Sequence, residues 1–252
     1  MKISVITATY NVAGTVQDCL DSVRGQGHGN VEHVVVDGAS SDGTVELLEG
    51  HRDRIDRFVS EPDRGIYDAL NKGVAMASGD VVGFLHADDV FSGSSVLSRV
   101  AGAFADDAVG AVYGDLQYVK SDDIGGVIRH WRSGEFVPAR LRWGWMPPHP
   151  TLYVRRSWYE RLGGFDLGYS IAADYQWMLR LLSQDDLRVA YIPEVLVKMR
   201  VGGASNRSLK NIVRKSREDL RAMRETGVGA LGGVGALVWK NVSKVGQFVK
   251  RR

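Results

Sequence analysis

Cysteine is almost missing from this chain: Cys19 stands alone among 252 residues. That excludes an intramolecular disulfide framework and any cysteine-rich zinc site, and it permits a reducing compartment. Cys19 lies among Val16, Leu20 and Val23 at helical spacing, where a free thiol is expected as a small core residue. Long hydrophobic runs are missing too. No stretch reaches the roughly 18 to 20 apolar residues that span a bilayer, so a soluble or peripheral protein is expected. The opening MKISVITATY is too brief for a signal-peptide core and has no small-residue cleavage site, so a cytoplasmic location is expected. Two phosphate-binding fingerprints are also absent. Gly25-Gln26-Gly27-His28-Gly29 precedes a strand signal where a dinucleotide-binding glycine loop would follow one, and no G-x-x-x-x-G-K-[ST] occurs, which excludes the common dehydrogenase and P-loop patterns. There is no internal repeat and no low-complexity segment.

What is present is ordinary for a globular α/β protein, with 44% hydrophobic and 25% charged residues. The net charge of +2 hides an asymmetry, because residues 205–252 hold 12 Lys and Arg against 3 Asp and Glu. An acidic body joined to a basic tail suggests an anionic surface as partner.

Strand signals at 3–8, 31–36, 81–85, 111–113 and 187–192 alternate with helical spacing at Val16, Leu20 and Val23 and at Ile66, Leu70, Val74 and Ala77. Such alternation predicts a mostly parallel, Rossmann-like sheet flanked by helices. Ligands of such sheets sit at the carboxyl ends of the strands. The first three strands end there in Thr9-Tyr10-Asn11, in Asp37-Gly38-Ala39-Ser40-Ser41-Asp42, and in His86-Ala87-Asp88-Asp89. Residues 125–150 are rich in tryptophan, proline and arginine and read as an irregular binding segment. A helix with Ala173, Trp177 and Leu181 on neighbouring faces follows.

The chemistry-bearing candidates are carboxylates at strand ends. Asp37 can accept N–H donors from a base edge or serve as a turn residue. Asp88 and Asp89 repel one another and cost desolvation unless a cation or donors offset them. Mg²⁺ takes one or two carboxylates and completes its octahedron with substrate phosphates and water, although the same pair could cap a helix starting near Ser92. Arg64 suits bidentate phosphate contact, beside a helix N-terminus that favours the same anion.

The segments TATYN, VVVDGASSDGT, DRGIYDALNKG, GFLHADD, GGFD and AADYQWMLRL, in this order over about residues 1–200, resemble the family-2 inverting glycosyltransferases of the GT-A fold, nearest their bacterial surface-polysaccharide branch. The resemblance implies a nucleotide-sugar donor, UDP-linked above all, and a divalent metal, Mg²⁺ or Mn²⁺. It implies that Thr9, Tyr10 and Asn11 line the nucleotide pocket, that Asp37 meets the base, and that Arg64 and Asn71 lie near the donor. Asp89 would bind the metal and Asp88 the ribose or sugar, since the first acidic position of the family's D-x-D falls on Ala87. Asp174 would be the general base, preceded by Ala173 where many relatives carry Glu. His149 and Trp177 would face the acceptor or the diphosphate. The processive signature Q-x-x-R-W is not matched by Gln176-Trp177-Met178-Leu179-Arg180, so a single addition is implied.

A catalytic domain over 1–204 is expected, with a nucleotide half (1–115) and an acceptor half (116–204), followed by a basic helical tail over 205–252. Within the tail Leu231, Val234, Val238, Val242, Val245 and Val249 form a stripe opposite lysines and arginines. That pattern suits an amphipathic helix on an anionic membrane or packed against protein. A saccharide or lipid-linked saccharide is the expected acceptor in polysaccharide biosynthesis, and no nucleic acid is expected. A sugar-phosphate nucleotidyltransferase, a non-catalytic sugar-nucleotide-binding module and a membrane-surface scaffold are the rival classes.

Overall fold

The structure, a computed structural model, describes residues 1–202 and 209–228. The stripe expected from Leu231 to Val249 lies outside the described residues. In chain order the elements are β1 (Ile3–Thr9), α1 (Val16–Arg24), β2 (Val31–Asp37), α2 (Thr44–Gly50), β3 (Arg57–Ser60), α3 (Ile66–Met76), β4 (Val81–Phe84) and β5 (Val90–Phe91). They continue with α4 (Val96–Ala103), β6 (Val109–Val119), β7 (Val127–Trp131), α5 (Pro138–Leu141), β8 (Tyr153–Arg155), α6 (Arg156–Leu162), α7 (Ala173–Leu182), β9 (Arg188–Arg200) and α8 (Leu209–Glu225).

One sheet of nine strands runs β3-β2-β1-β4-β8-β6-β9-β5, with β7 on β6. The first four of these strands are parallel, as expected from the alternation of strand and helix signals. Beyond β4 the sheet is mixed. β8 is antiparallel to both β4 and β6, β9 is parallel to β6, and β5 is antiparallel to β9. The division expected at residue 115 falls inside β6, so both halves of the molecule share that strand.

β1 is apolar and almost wholly buried because helices cover the sheet on both sides. On one side Cys19 and Val23 of α1 lie in the core with Ile3, Val5 and Val112. On the other, α3 comes so close that a Cβ on Gly73 would lie 2.3 Å from Ile6 Cγ2. The same core takes in α7 and Ala222 and Met223 of α8, both essentially unexposed. The part of the basic tail that is described thus packs on the body. Among the described residues no helix is long and apolar enough to cross a membrane.

Candidate active site

The loops after β1, β2 and β3 converge at one end of the parallel strands. A Cβ on Gly38 would meet Asp63 Oδ2 at 2.6 Å and Tyr10 Cδ2 at 3.3 Å, so these loops meet closely at the glycine. Asn11 holds a left-handed backbone, φ 52°. It accepts the Ser41 N–H on Oδ1 at 2.9 Å and donates its own N–H to Ser40 Oγ at 2.9 Å. Tyr10 is 64% exposed at the rim. Arg64 is open as well, its side chain 76% exposed and touching only Asp68 at 3.4 Å.

Asp37 is wholly buried at the end of β2. Its Oδ1 accepts from Thr9 Oγ1 (2.9 Å) and Ser40 Oγ (2.5 Å), its Oδ2 from Ser40 N–H (2.9 Å) and Ser60 Oγ (2.8 Å). Burial alone would raise its pKa, but the donors of Ser40, Ser60 and Thr9 outweigh it and hold the carboxyl below the usual range. All four lone-pair directions are taken. A base edge would reach Asp37 only by displacing a hydroxyl of Ser40 or Ser60.

The acidic pair does not cap a helix. It lies in a turn closed by Asp89 N–H to His86 O at 2.9 Å, and the short strand β5 comes next. The two carboxylates separate. Asp89 is 1% exposed and accepts the backbone N–H of Arg200 on Oδ1 at 3.1 Å, while its Oδ2 is buried without a hydrogen-bond partner. Burial first, then the charge of Asp88, pushes its pKa well above the usual carboxylate value. Asp88 is half-buried on the side of His86, and its carbonyl accepts from Arg200 Nη1 at 2.7 Å. The expected metal ligand, Asp89, is therefore the inner member of the pair, and Asp88 the less buried one. A metal fits this arrangement. Asp89 has an unpaired oxygen and an unfavourable charge, and among the described residues no cluster of three His, Cys, Asp or Glu forms a cage.

Across the cleft, Asp174 stands in the first turn of α7, half-buried. Tyr67 Oη lies 3.0 Å from its Oδ1 and donates to Ile171 O at 2.6 Å. His86 feels the charges of both Asp88 and Asp174, although burial keeps its pKa below the usual value. His149, expected near the acceptor, is 7% exposed and stacks on Phe84 at 5.1 Å, with His86 at 6.3 Å. Burial lowers its pKa to about 4, so the ring is neutral. The structure thus gathers His86, Asp88, His149, Asp174 and Tyr67. Sequence reasoning missed His86 and Tyr67, although both stand in the segments that carry the resemblance.

Two residues expected near the ligands engage the protein itself. Trp177 is fully buried, stacked on Tyr159 at 4.1 Å, and donates its indole N–H to Gly163 O at 2.8 Å. It is part of the core. Asn71 spends its amide on the protein, donating to Phe165 O at 2.9 Å and accepting the Phe165 N–H at 2.8 Å. A Cβ on Gly164 would lie 2.2 Å from Asn71 Oδ1, so the glycine makes room for this clamp.

Comparison with known proteins adds to this geometry. The chain is 36% identical over 188 residues to an uncharacterized glycosyltransferase of Mycobacterium tuberculosis, covering 71% of this chain and 68% of that protein. It is 33% identical over 211 residues to a PGL/p-HBAD biosynthesis glycosyltransferase of Mycobacterium bovis, covering 81% and 78%. Residues 1–349 of S. aureus TarS, solved with UDP-GlcNAc, superpose with a TM-score of 0.69 at 19% identity, over 90% of this chain and 66% of that one. The chain spans 39% of the longer TarS chain that has also been solved. The mannosyltransferase PcManGT of Pyrobaculum calidifontis, solved with GDP-Man and Mn2+, gives 0.67 at 24% identity, over 95% and 68%. These neighbours share the GT-A fold. With strand-end loops, acidic pair and α7 carboxylate arranged as described, and with the pattern of glycosyl transferase family 2 matching residues 4–166, the chain belongs to that family.

Proposed function

We propose that this protein is an inverting glycosyltransferase. It moves one sugar from a nucleoside diphosphate sugar, UDP-linked above all, to a hydroxyl of a saccharide or lipid-linked saccharide in polysaccharide or glycolipid biosynthesis. The observation that carries the reading is Asp174, a half-buried carboxylate close enough to His86 for its charge to act there together with that of Asp88. The donors in the TarS and PcManGT complexes and the glycolipid role in the name of the mycobacterial relative support the same class.

In the proposed step Asp174 takes the proton of the acceptor hydroxyl. The oxygen bonds to the anomeric carbon from the face opposite the diphosphate, and the bond to the diphosphate oxygen breaks with its electron pair leaving on the phosphate. A divalent metal, when bound, would neutralise charge on that leaving group. Asp89, whose Oδ2 has no partner, would hold it, and Asp88 would contact the donor beside it. Tyr10, Asn11 and Arg64 would contact the nucleotide, the open Arg64 guanidinium reaching the diphosphate, and Asp37 would meet the base once a hydroxyl of Ser40 or Ser60 gave way. His149, neutral and stacked, would border the acceptor side.

The test uses a panel of UDP-, GDP- and dTDP-sugars with and without Mn²⁺, read as a rise in melting temperature and as release of nucleoside diphosphate. Asp174→Asn should lower turnover by roughly 10² to 10⁴-fold, the usual contribution of a positioned base, with donor binding kept. Unchanged turnover would remove the base assignment, and activity indifferent to EDTA would remove the metal.

An anionic membrane surface is the proposed docking partner of α8. Ile212 and Val213 are 50% and 51% exposed. The acidic side chains of the helix are engaged with the protein, Glu218 on backbone N–H groups, Asp219 buried, and Glu225 on Tyr169 and Arg221. Its outward charge is then arginine and lysine, worth about 1 kcal/mol each near an anionic leaflet. Full-length protein should co-sediment with phosphatidylglycerol vesicles and lose binding in Arg214→Glu/Arg217→Glu. Retention by that variant would sink the docking reading.

A further inference from the structure

The carboxylate assigned as base stands at the start of a helix that has no side-chain cap of its own. A residue from another helix takes that place. Glu218 of α8 accepts three consecutive backbone N–H groups, Ser170 on Oε1 at 3.1 Å and Ile171 and Ala172 on Oε2 at 2.8 and 2.9 Å. The same short segment is held from the opposite side by Tyr67 of α3, whose hydroxyl donates to Ile171 O at 2.6 Å and lies 3.0 Å from Asp174 Oδ1. Residues 170–172 are thus bonded both to a carboxylate that accepts their N–H groups and to a phenol whose single proton is shared between the Ile171 carbonyl and the Asp174 carboxylate.

Neither grip is free to drift. α8 is fixed to the body by Ala222 and Met223, buried in the main core, and by Tyr169, whose hydroxyl donates to Glu225 Oε2 at 2.6 Å under the Arg221 guanidinium at 4.5 Å. Tyr67 packs its ring on Phe165 at 5.7 Å, and Phe165 is the residue clamped by Asn71. Burial, then the negative charge of Asp174, raises the Tyr67 pKa, so the phenol keeps its proton and acts as a donor.

We propose that Glu218 and Tyr67 are positioning residues that aim Asp174 at the acceptor hydroxyl, making α8 part of the catalytic apparatus. This rests on Asp174 being the base. A small displacement of a reacting group from its productive geometry is costly in rate, and α7 has no side-chain cap hydrogen bond of its own.

The test is a double-mutant cycle on the full chain. Turnover is read as nucleoside diphosphate release from whichever UDP-, GDP- or dTDP-sugar stabilises the protein most, with water standing in for the acceptor. Tyr67→Phe keeps the ring, and Glu218→Gln keeps one acceptor oxygen. Each should lower kcat about ten-fold while donor KM stays within two-fold, and Glu218→Ala should fall further than Glu218→Gln. In an Asp174→Asn background the same substitutions should leave the residual rate unchanged, because both act through Asp174. A loss of rate that persists in that background, or full kcat in Tyr67→Phe and Glu218→Ala, overturns the proposal. Full turnover in Asp174→Asn alone would instead overturn the base assignment.

Discussion

Asn71 offers the most direct contest between the family resemblance and the geometry. The resemblance implies that it lies near the donor, whereas the structure shows both amide atoms bonded to the backbone of Phe165, at 2.9 and 2.8 Å. Asn71→Ala removes two hydrogen bonds of about 1 kcal/mol each and strands the buried Phe165 N–H, for a total of about 3 kcal/mol. For a chain of this size that lowers the melting temperature by about 6 to 12 °C. Asn71→Asp keeps the acceptor for the Phe165 N–H and loses the donor, so it should fall between the two. Gly164→Ala should resemble Asn71→Ala, since its Cβ would sit 2.2 Å from Asn71 Oδ1 and force the clamp open. Thermal melts and donor titrations on the same samples decide the matter. A melting temperature unchanged in Asn71→Ala, together with donor affinity weakened ten-fold or more, would refute the clamp and return Asn71 to the donor.

Two further outcomes follow from buried groups. His33 and His149 are held neutral by burial, each with its pKa lowered to about 4, so the unfolded chain binds more protons as the pH falls below about 6.5. Stability should therefore drop on acidification, by about 2 kcal/mol from each histidine at pH 5 relative to pH 7, with urea midpoints that are level across this window refuting the burial. Cys19 is fully buried with its pKa pushed up to about 12 by that burial, so a thiol reagent at pH 8 should label it only in denaturant. Labelling of the native protein within minutes would mean that α1 does not pack as described.

The donor end of the fold was legible because its signals are local. β1, β2 and β4 are short apolar runs ended by polar clusters, and Val16, Cys19, Leu20 and Val23 share one face of α1, as their spacing predicts. The rest depends on partners far apart in the chain. Nothing within DRGIYDALNKG announces that Tyr67 will meet Asp174 or that Asn71 will meet Phe165, 94 residues on. Nor does the acidic pair reveal that Arg200, 111 residues from Asp89, will draw Asp89 inward and leave Asp88 outside. The spacing of Trp177 does not announce its stack on Tyr159, because an aromatic on a helix reads the same whether its face meets a ligand or the core. The strand signal at 187–192 understated β9, which runs on to Arg200 past Pro193 because irregular pairing with β6 absorbs the interruption.

β4 is the seam of the sheet, parallel to β1 on one side and antiparallel to β8 on the other. During synthesis β1 to β3 have left the ribosome before β4, but β8 follows about 70 residues after it. At ordinary translation rates of 5 to 20 residues per second, about 4 to 14 s pass before the second edge of β4 can pair. For that interval the Val81–Phe84 edge is a bare, apolar strand of the kind that recruits strands from other chains. A chain stalled or truncated between β4 and β8 would keep the strands that frame the nucleotide end while exposing its most adhesive edge, so nascent-chain quality control should bear hardest on that interval.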